Sequence, residues 1–158
     1  MQAKTRKARA RAFIEEAGEY GAAGDVFLVA MLREVAEAYR KATIAFPDIT
    51  TAGFDRTRTP FEPDTQTLVG ISTALVFLKQ LEPSKVPNMG SYGLKHLVED
   101  WSDVNEMSAY IANGALIVAA VGLNFPIRRR RGGLNASIAI SRKSLKKLIE
   151  LSHMRGWM

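Results

Sequence analysis

Residues 110–131 (YIANGALIVAAVGLNFPIRRRR) constrain the fold of this 158-residue chain more than any other stretch. The segment ALIVAAV at 115–121 has no polar face, so a helix there must be buried on all sides and lie at the centre of the fold. Four consecutive arginines follow at 128–131. Because four adjacent guanidinium groups cannot all be buried, a basic surface must lie beside the core. No catalytic signature in the sequence assigns a reaction.

The net charge of +6 is unevenly distributed. Residues 1–11 carry five basic and no acidic side chains, residues 12–127 carry 8 basic and 15 acidic ones, and residues 128–158 carry 9 basic and one acidic. The three segments therefore have charges of +5, −7 and +8. An acidic body with two basic ends favours binding of a polyanion or an acidic protein, and it permits head-to-tail self-association. A high-GC genome that uses Arg freely is the alternative explanation of the same pattern.

Composition indicates an ordinary globular protein, with 47% hydrophobic and 24% charged residues. The absence of Cys excludes disulfides, thiolate metal sites and thiol nucleophiles. The basic N-terminus is not followed by the apolar segment of a signal peptide. The most hydrophobic run, residues 68–81, falls short of the ~18 apolar residues of a membrane span. We therefore expect one cytoplasmic domain over 1–158, with no cofactor, no metal and no membrane partner.

The first half of the chain is predicted to be helical. Residues 1–24 predict a basic N-terminal helix or arm. Residues 25–46 and 65–81 repeat apolar side chains at steps of three and four, which is typical of amphipathic helices. The 47–64 segment between them holds three prolines and little periodicity, so we predict a loop. Residues 25–82 should thus form a two-helix platform.

Two short helices are predicted before the apolar segment, one over 91–101 with Ser91 as its cap and one over 103–112. The Asn113-Gly114 pair then predicts a turn into the apolar helix. A short helix, a turn containing Gly and a second helix form the helix-turn-helix plan. However, ALIVAAVGL offers no polar side chains to base edges, so recognition must lie elsewhere.

A hairpin and a basic helix are predicted to end the chain. Residues 125–130 and 134–140 predict two strands around a Gly-Gly turn, with Ala136, Ile138 and Ile140 facing the core. Ser141 predicts the cap of a last amphipathic helix. Helices followed by a hairpin give the order of a winged-helix domain. The predicted fold is mainly α: a helical bundle with a helix-turn-helix or winged-helix-like unit over 91–158 and one small β-hairpin.

His96 is the candidate for catalysis. Helical spacing brings it near Glu99 and Asp100, and a His with a carboxylate can form an acid–base pair or half a metal site. The chain has only two histidines and no second pair of metal ligands nearby, so a solvated helix face explains the pattern more simply. A small enzyme using His96 and Glu99 remains an alternative.

The segments SYGLKHLVEDW (91–101) and YIANGALIVAAVGLNF (110–125) resemble small uncharacterised accessory proteins of proteobacterial prophages and integrative elements. The resemblance covers residues 91–125. The proteins that the chain resembles have no assigned catalytic residues, so the resemblance assigns none to this chain. It implies a context of DNA transactions in a mobile element, or of interference with a host defence complex that binds nucleic acid.

These patterns favour a non-enzymatic nucleic-acid-binding protein of a phage or mobile element, with DNA ahead of RNA as the partner. The predicted contacts are Arg128, Arg129, Arg130, Arg131, Arg142, Lys143, Lys146 and Lys147. Additional contacts are predicted from Lys4, Arg6, Lys7, Arg9, Arg11, Lys95 and His96. The alternative is a protein-interaction module that inhibits a host defence complex, such as a CRISPR effector or a nuclease. A homodimer is compatible with the apolar pair Trp157 and Met158.

Overall fold

The computed structural model describes residues 26–55, 65–107 and 109–152. Within them the helices are α1 (Val26–Ala45), α2 (Thr65–Leu78), α3 (Ser91–Val104), α4 (Asn113–Gly122) and α5 (Arg142–Leu151). The strands are β1 (Ile49–Thr50), β2 (Gly53–Phe54), β3 (Met89–Gly90), β4 (Ile127–Arg129) and β5 (Ala136–Ile138). The predicted mainly helical class is confirmed. The predicted N-terminal helix or arm over 1–24 lies outside the described residues.

Helix α4 lies at the centre of the fold, as its composition predicts. Its first eight residues are all buried, and it packs against α1, α2 and α3. Gly122 allows α4 to approach α1 closely, because a Cβ built on Gly122 would overlap the Cβ of Ala38. The buried side chains of α1, α2, α3, α5 and β5 join α4 in one hydrophobic core. A helix without a polar face is thus accommodated by surrounding it with other elements.

The segment predicted as a loop over 47–64 contains a small sheet in its described part. Strands β1 and β2 pair antiparallel, with Ile49 opposite Phe54. The turn between them needs Gly53, which has a φ of 123° and leaves no room for a Cβ beneath the Leu134 carbonyl. The prediction of a loop is therefore wrong for β1 and β2. Two-residue strands have too little alternation to be recognised in a sequence.

The second short helix predicted before α4 does not form. Helix α3 continues to Val104 and ends where Glu106 adopts a φ of 61°. The described residues between Glu106 and Asn113 are not helical, and Ser102 fixes their path by accepting a hydrogen bond from Ala109 N through its Oγ (3.0 Å). Asn113 and Gly114 begin α4 instead of forming a turn. This part of the chain therefore lacks the short helix that the helix-turn-helix plan requires.

The second sheet has the strand order β3-β5-β4, and both pairings are antiparallel. Ala136, Ile138 and Ile140 are fully buried, as their alternation predicts. Ser91 does not cap α3. Gly90 occupies the cap position, and the buried Ser91 Oγ instead accepts a hydrogen bond from the Ala136 N–H of β5 (3.0 Å).

Candidate nucleic-acid interface

The β4–β5 hairpin presents its arginines on two different faces. Successive side chains of a strand point to opposite sides. Arg128 lies opposite Ser137 in the register, and Arg130 Nε donates a hydrogen bond to Ser137 Oγ (3.3 Å), so both arginines belong to the outer face. The turn that follows is closed by a hydrogen bond from Gly133 N to the Arg130 carbonyl (3.2 Å), and it places Arg131 in solvent. Gly132 adopts a φ of 71° in this turn, which confirms the predicted Gly-Gly turn.

Arg129 points to the inner face and is engaged within the protein. Its guanidinium donates two hydrogen bonds to the Asp48 carboxylate, at 2.9 and 2.6 Å, and stacks 4.2 Å from the Phe54 ring centroid. The Asp48 side chain is only 11% exposed, whereas that of Arg129 is 42% exposed. The guanidinium of Arg129, a predicted nucleic-acid contact, is thus already paired with an acid of the body.

Helix α5 supplies the second group of cations. Ser141 caps it by accepting a hydrogen bond from Ser144 N (3.2 Å), as the sequence predicts. Leu145, Leu148 and Ile149 anchor the helix in the core. The four basic residues near its N-terminus are all exposed; they are Arg142, Lys143, Lys146 and Lys147. The nearest described acid to any of them is Glu150, whose Oε1 lies 4.0 Å from Lys146 Nζ in an exposed pair.

A groove of about 1050 Å³ joins the hairpin to α5 and α3. Its charged lining comes from Arg130 of the hairpin and from Arg142, Lys146 and Glu150 of α5, three cations and one acid. Its floor comes from buried aliphatic side chains, namely Leu94, Leu97, Leu145 and Ile149. Gly90 leaves space for Arg130, since a Cβ on Gly90 would lie 3.0 Å from Arg130 Nη2. The fold thus brings Arg130 close to Arg142 and Lys146, which both follow it by more than ten residues in the sequence.

Lys95 and His96 lie beside the groove but differ in exposure. The Lys95 side chain is only 8% exposed, and its Nζ donates a hydrogen bond to Glu99 Oε1 (3.0 Å). The same oxygen lies 3.2 Å from His96 Nδ1. Lys95 Nζ also lies 5.6 and 5.2 Å from the ring centroids of Tyr92 and Tyr110. Lys95, a predicted additional nucleic-acid contact, is therefore largely buried, and the Glu99 carboxylate is shared between Lys95 and His96.

The other predicted contacts lie outside the described residues. These are Lys4, Arg6, Lys7, Arg9 and Arg11, together with the Trp157 and Met158 pair. Sequence reasoning missed the groove itself and Tyr92 on its wall, because the groove is assembled from three separate segments. It also missed the pairing of Arg129 with Asp48, although strand alternation already separates Arg129 from Arg128 and Arg130.

No family model, curated protein or solved structure matches this chain. Among the described helices, none is both long and apolar enough to cross a membrane. In the same part of the chain, no group of three His, Cys, Asp or Glu side chains is arranged to hold a metal ion.

Proposed function

We propose that this protein binds nucleic acid, without catalysis, through a basic face formed by the hairpin and α5. The basic face comprises Arg128, Arg130, Arg131, Arg142, Lys143, Lys146 and Lys147. The observation that carries the proposal is the convergence of Arg130, Arg142 and Lys146 on one groove. In this proposal the hairpin acts as a wing that contacts phosphates, without the helix-turn-helix of a winged-helix domain, and DNA is the preferred partner.

The charges of the basic face suit a phosphate backbone. Residues 128–152 contain eight basic side chains and one acid, Glu150. Arg129 is the one basic side chain in this set that forms a close pair with an acid of the body. Phosphate contacts by the remaining cations release counterions, which gives an affinity that depends steeply on salt.

The position of α4 supports recognition that is independent of base sequence. A helix that reads bases must place polar side chains in the major groove. Helix α4 is enclosed by α1, α2 and α3, and its residues are apolar apart from Asn113. Binding through arginines and lysines at the surface would therefore follow the backbone of the nucleic acid.

The test compares two triple variants that remove the same charge. The first changes Arg130, Arg142 and Lys146 to Ala. The control changes Arg33, Arg40 and Lys79 to Ala; the last two are paired with Glu37 and Glu34, respectively, away from the groove. Binding of labelled DNA is measured by fluorescence anisotropy across a salt series of about 50 to 200 mM.

The groove variant should bind more weakly, and its slope of log K against log salt should be shallower by about 2 to 3, since each lost phosphate contact contributes about 0.7 for a single strand and about 0.9 for a duplex. The control should retain the slope of the wild type. Equal loss in both variants would mean that net charge alone governs binding and would overturn the proposed face. Absence of nucleic-acid binding by the wild type would favour the protein-interaction module.

A further inference from the structure

We infer that the groove selects single-stranded nucleic acid, and that Tyr92 on its wall stacks against an unpaired base. This inference rests on the proposed function and specifies its substrate class. The starting observation is the position of Tyr92, whose side chain lines the groove together with Arg130, Arg142 and Lys146. Tyr92 is 56% exposed although it belongs to a well-packed helix.

The ring of Tyr92 is held in place before any ligand binds. The His96 ring meets it edge to face, with centroids 4.7 Å apart and planes at 87°. The largely buried Lys95 ammonium, which is paired with Glu99, lies 5.6 Å from its centroid. A fixed aromatic ring loses little conformational entropy when a base stacks on it. Stacking of bases on aromatic side chains beside a basic groove is how proteins bind single strands without sequence preference.

The groove has room for a base next to this ring. Gly93 lines the groove beside Tyr92, and a Cβ built on Gly93 would meet no atom within 4 Å. In a duplex the bases are stacked on one another, so their faces are not available to the ring of Tyr92. An unpaired nucleotide can place its phosphate near Arg130, Arg142 and Lys146 and its base beside Tyr92 in the groove.

The floor of the groove argues against an amphipathic helix as the occupant. Leu94, Leu97, Leu145 and Ile149 are already buried in the folded protein, so these four side chains would offer a docking helix little additional surface. The hydrophobic gain on binding scales with the apolar area that is newly removed from water. The largest exposed apolar surface on the groove wall is the ring of Tyr92, which suits a planar partner.

The experiment measures the affinity of labelled oligothymidine of about 15 nucleotides and of a duplex of the same length. We expect the single strand to bind more tightly. Tyr92→Ala should weaken single-strand binding about tenfold, whereas Tyr92→Phe should bind like the wild type because it keeps the ring. Tyr110→Ala is the matched control, since Tyr110 is 55% exposed and contacts the same Lys95 but does not line the groove.

A second variant blocks the groove without removing any charge. Gly93→Gln places a side chain in the open space beside Tyr92 and favours the helical conformation. It should weaken single-strand binding about tenfold while the thermal midpoint of unfolding stays the same or rises.

Several results would overturn the inference while leaving the proposed function intact. They are an equal or tighter affinity for the duplex, an unchanged affinity in Tyr92→Ala, and an equal loss in Tyr110→Ala. If neither form of nucleic acid binds, the proposed function itself fails. Binding of an acidic amphipathic peptide that Gly93→Gln abolishes would then identify a protein as the occupant.

Discussion

At the scale of single residues, the four consecutive arginines have different surroundings. The side chains of Arg128 and Arg131 make no hydrogen bond or ion pair with other described residues, and the Arg130 guanidinium donates only to the Ser137 hydroxyl. Arg129 alone contacts a carboxylate, through the two hydrogen bonds to Asp48. The pairing joins β4 to the residue that precedes β1, across 81 residues of sequence. One arginine therefore stabilises the fold while its neighbours remain available to a ligand.

Arg129→Ala should lower the free energy of unfolding by about 1–3 kcal/mol, because the largely buried Asp48 carboxylate loses its bidentate partner. Arg128→Ala, which removes an exposed charge, should stay within about 0.5 kcal/mol of the wild type. Urea unfolding monitored by tryptophan fluorescence measures both values. Arg129→Ala should also leave the salt dependence of nucleic-acid binding unchanged. Equal stability of the two variants would show that the Asp48 pair contributes nothing to folding.

At the scale of elements, the crossing of α1 and α4 depends on Gly122. A Cβ at this position would overlap both the Cβ and the Cα of Ala38, and backbone atoms cannot move aside as a flexible side chain can. The last turn of α4 is also tied to α1 by Lys41 Nζ, which donates to the Gly122 carbonyl (3.3 Å). The close contact lets the central helix share its buried surface with the longest surrounding helix.

Gly122→Ala should therefore destabilise the protein by about 1–3 kcal/mol, as expected for overpacking in a core, even though Ala is the better helix former. Gly93→Ala is the matched control. It also lies in a helix, but its Cβ would meet no atom within 4 Å, so it should stabilise the protein slightly or leave it unchanged. Thermal unfolding followed by circular dichroism compares the two. A stabilised Gly122→Ala variant would contradict the close crossing of α1 and α4.

The elements that sequence periodicity predicts are those with a strong local pattern. Helices α1, α2, α3 and α5 and the β4–β5 hairpin all begin or end within a few residues of their predicted bounds. The hydrophobic run of α4 required burial on every side, and that requirement holds in any fold. These elements carry both the core and the cations of the basic face.

The elements that periodicity misses depend on distant partners. Ser91 resembles a helix cap, but its hydroxyl accepts from Ala136, which is 45 residues away. Asp103 and Asn105 resemble the start of a helix, yet they lie at the end of α3, which Glu106 terminates. The groove also depends on distant partners. Tyr92 and Arg130, which both line it, come together only when β3 and β5 pair. Such features follow from tertiary packing, so they cannot be predicted from the secondary-structure preferences of single residues.

At the scale of the whole molecule, the acidic body restricts where a polyanion can bind. Residues 12–127 carry a net charge of −7, so their field repels phosphates. The basic face lies on the hairpin and α5, which follow that region in the sequence and share one groove with α3. Under the proposed function, attraction at the groove and repulsion by residues 12–127 should limit the positions that a nucleic acid can occupy.

This arrangement predicts the total salt dependence of binding. If the seven cations of the basic face make all the contacts, the slope of log K against log salt should be no steeper than about −5 for a single strand, since each contact contributes about −0.7. Changing Lys4, Arg6, Lys7, Arg9 and Arg11 to Gln should then alter the slope by less than about one unit. Anisotropy titrations of the wild type and this variant on the same oligonucleotide measure both slopes. A steeper wild-type slope that flattens in the variant would extend the interface to the N-terminal cations, because those side chains would then be the source of the additional counterion release.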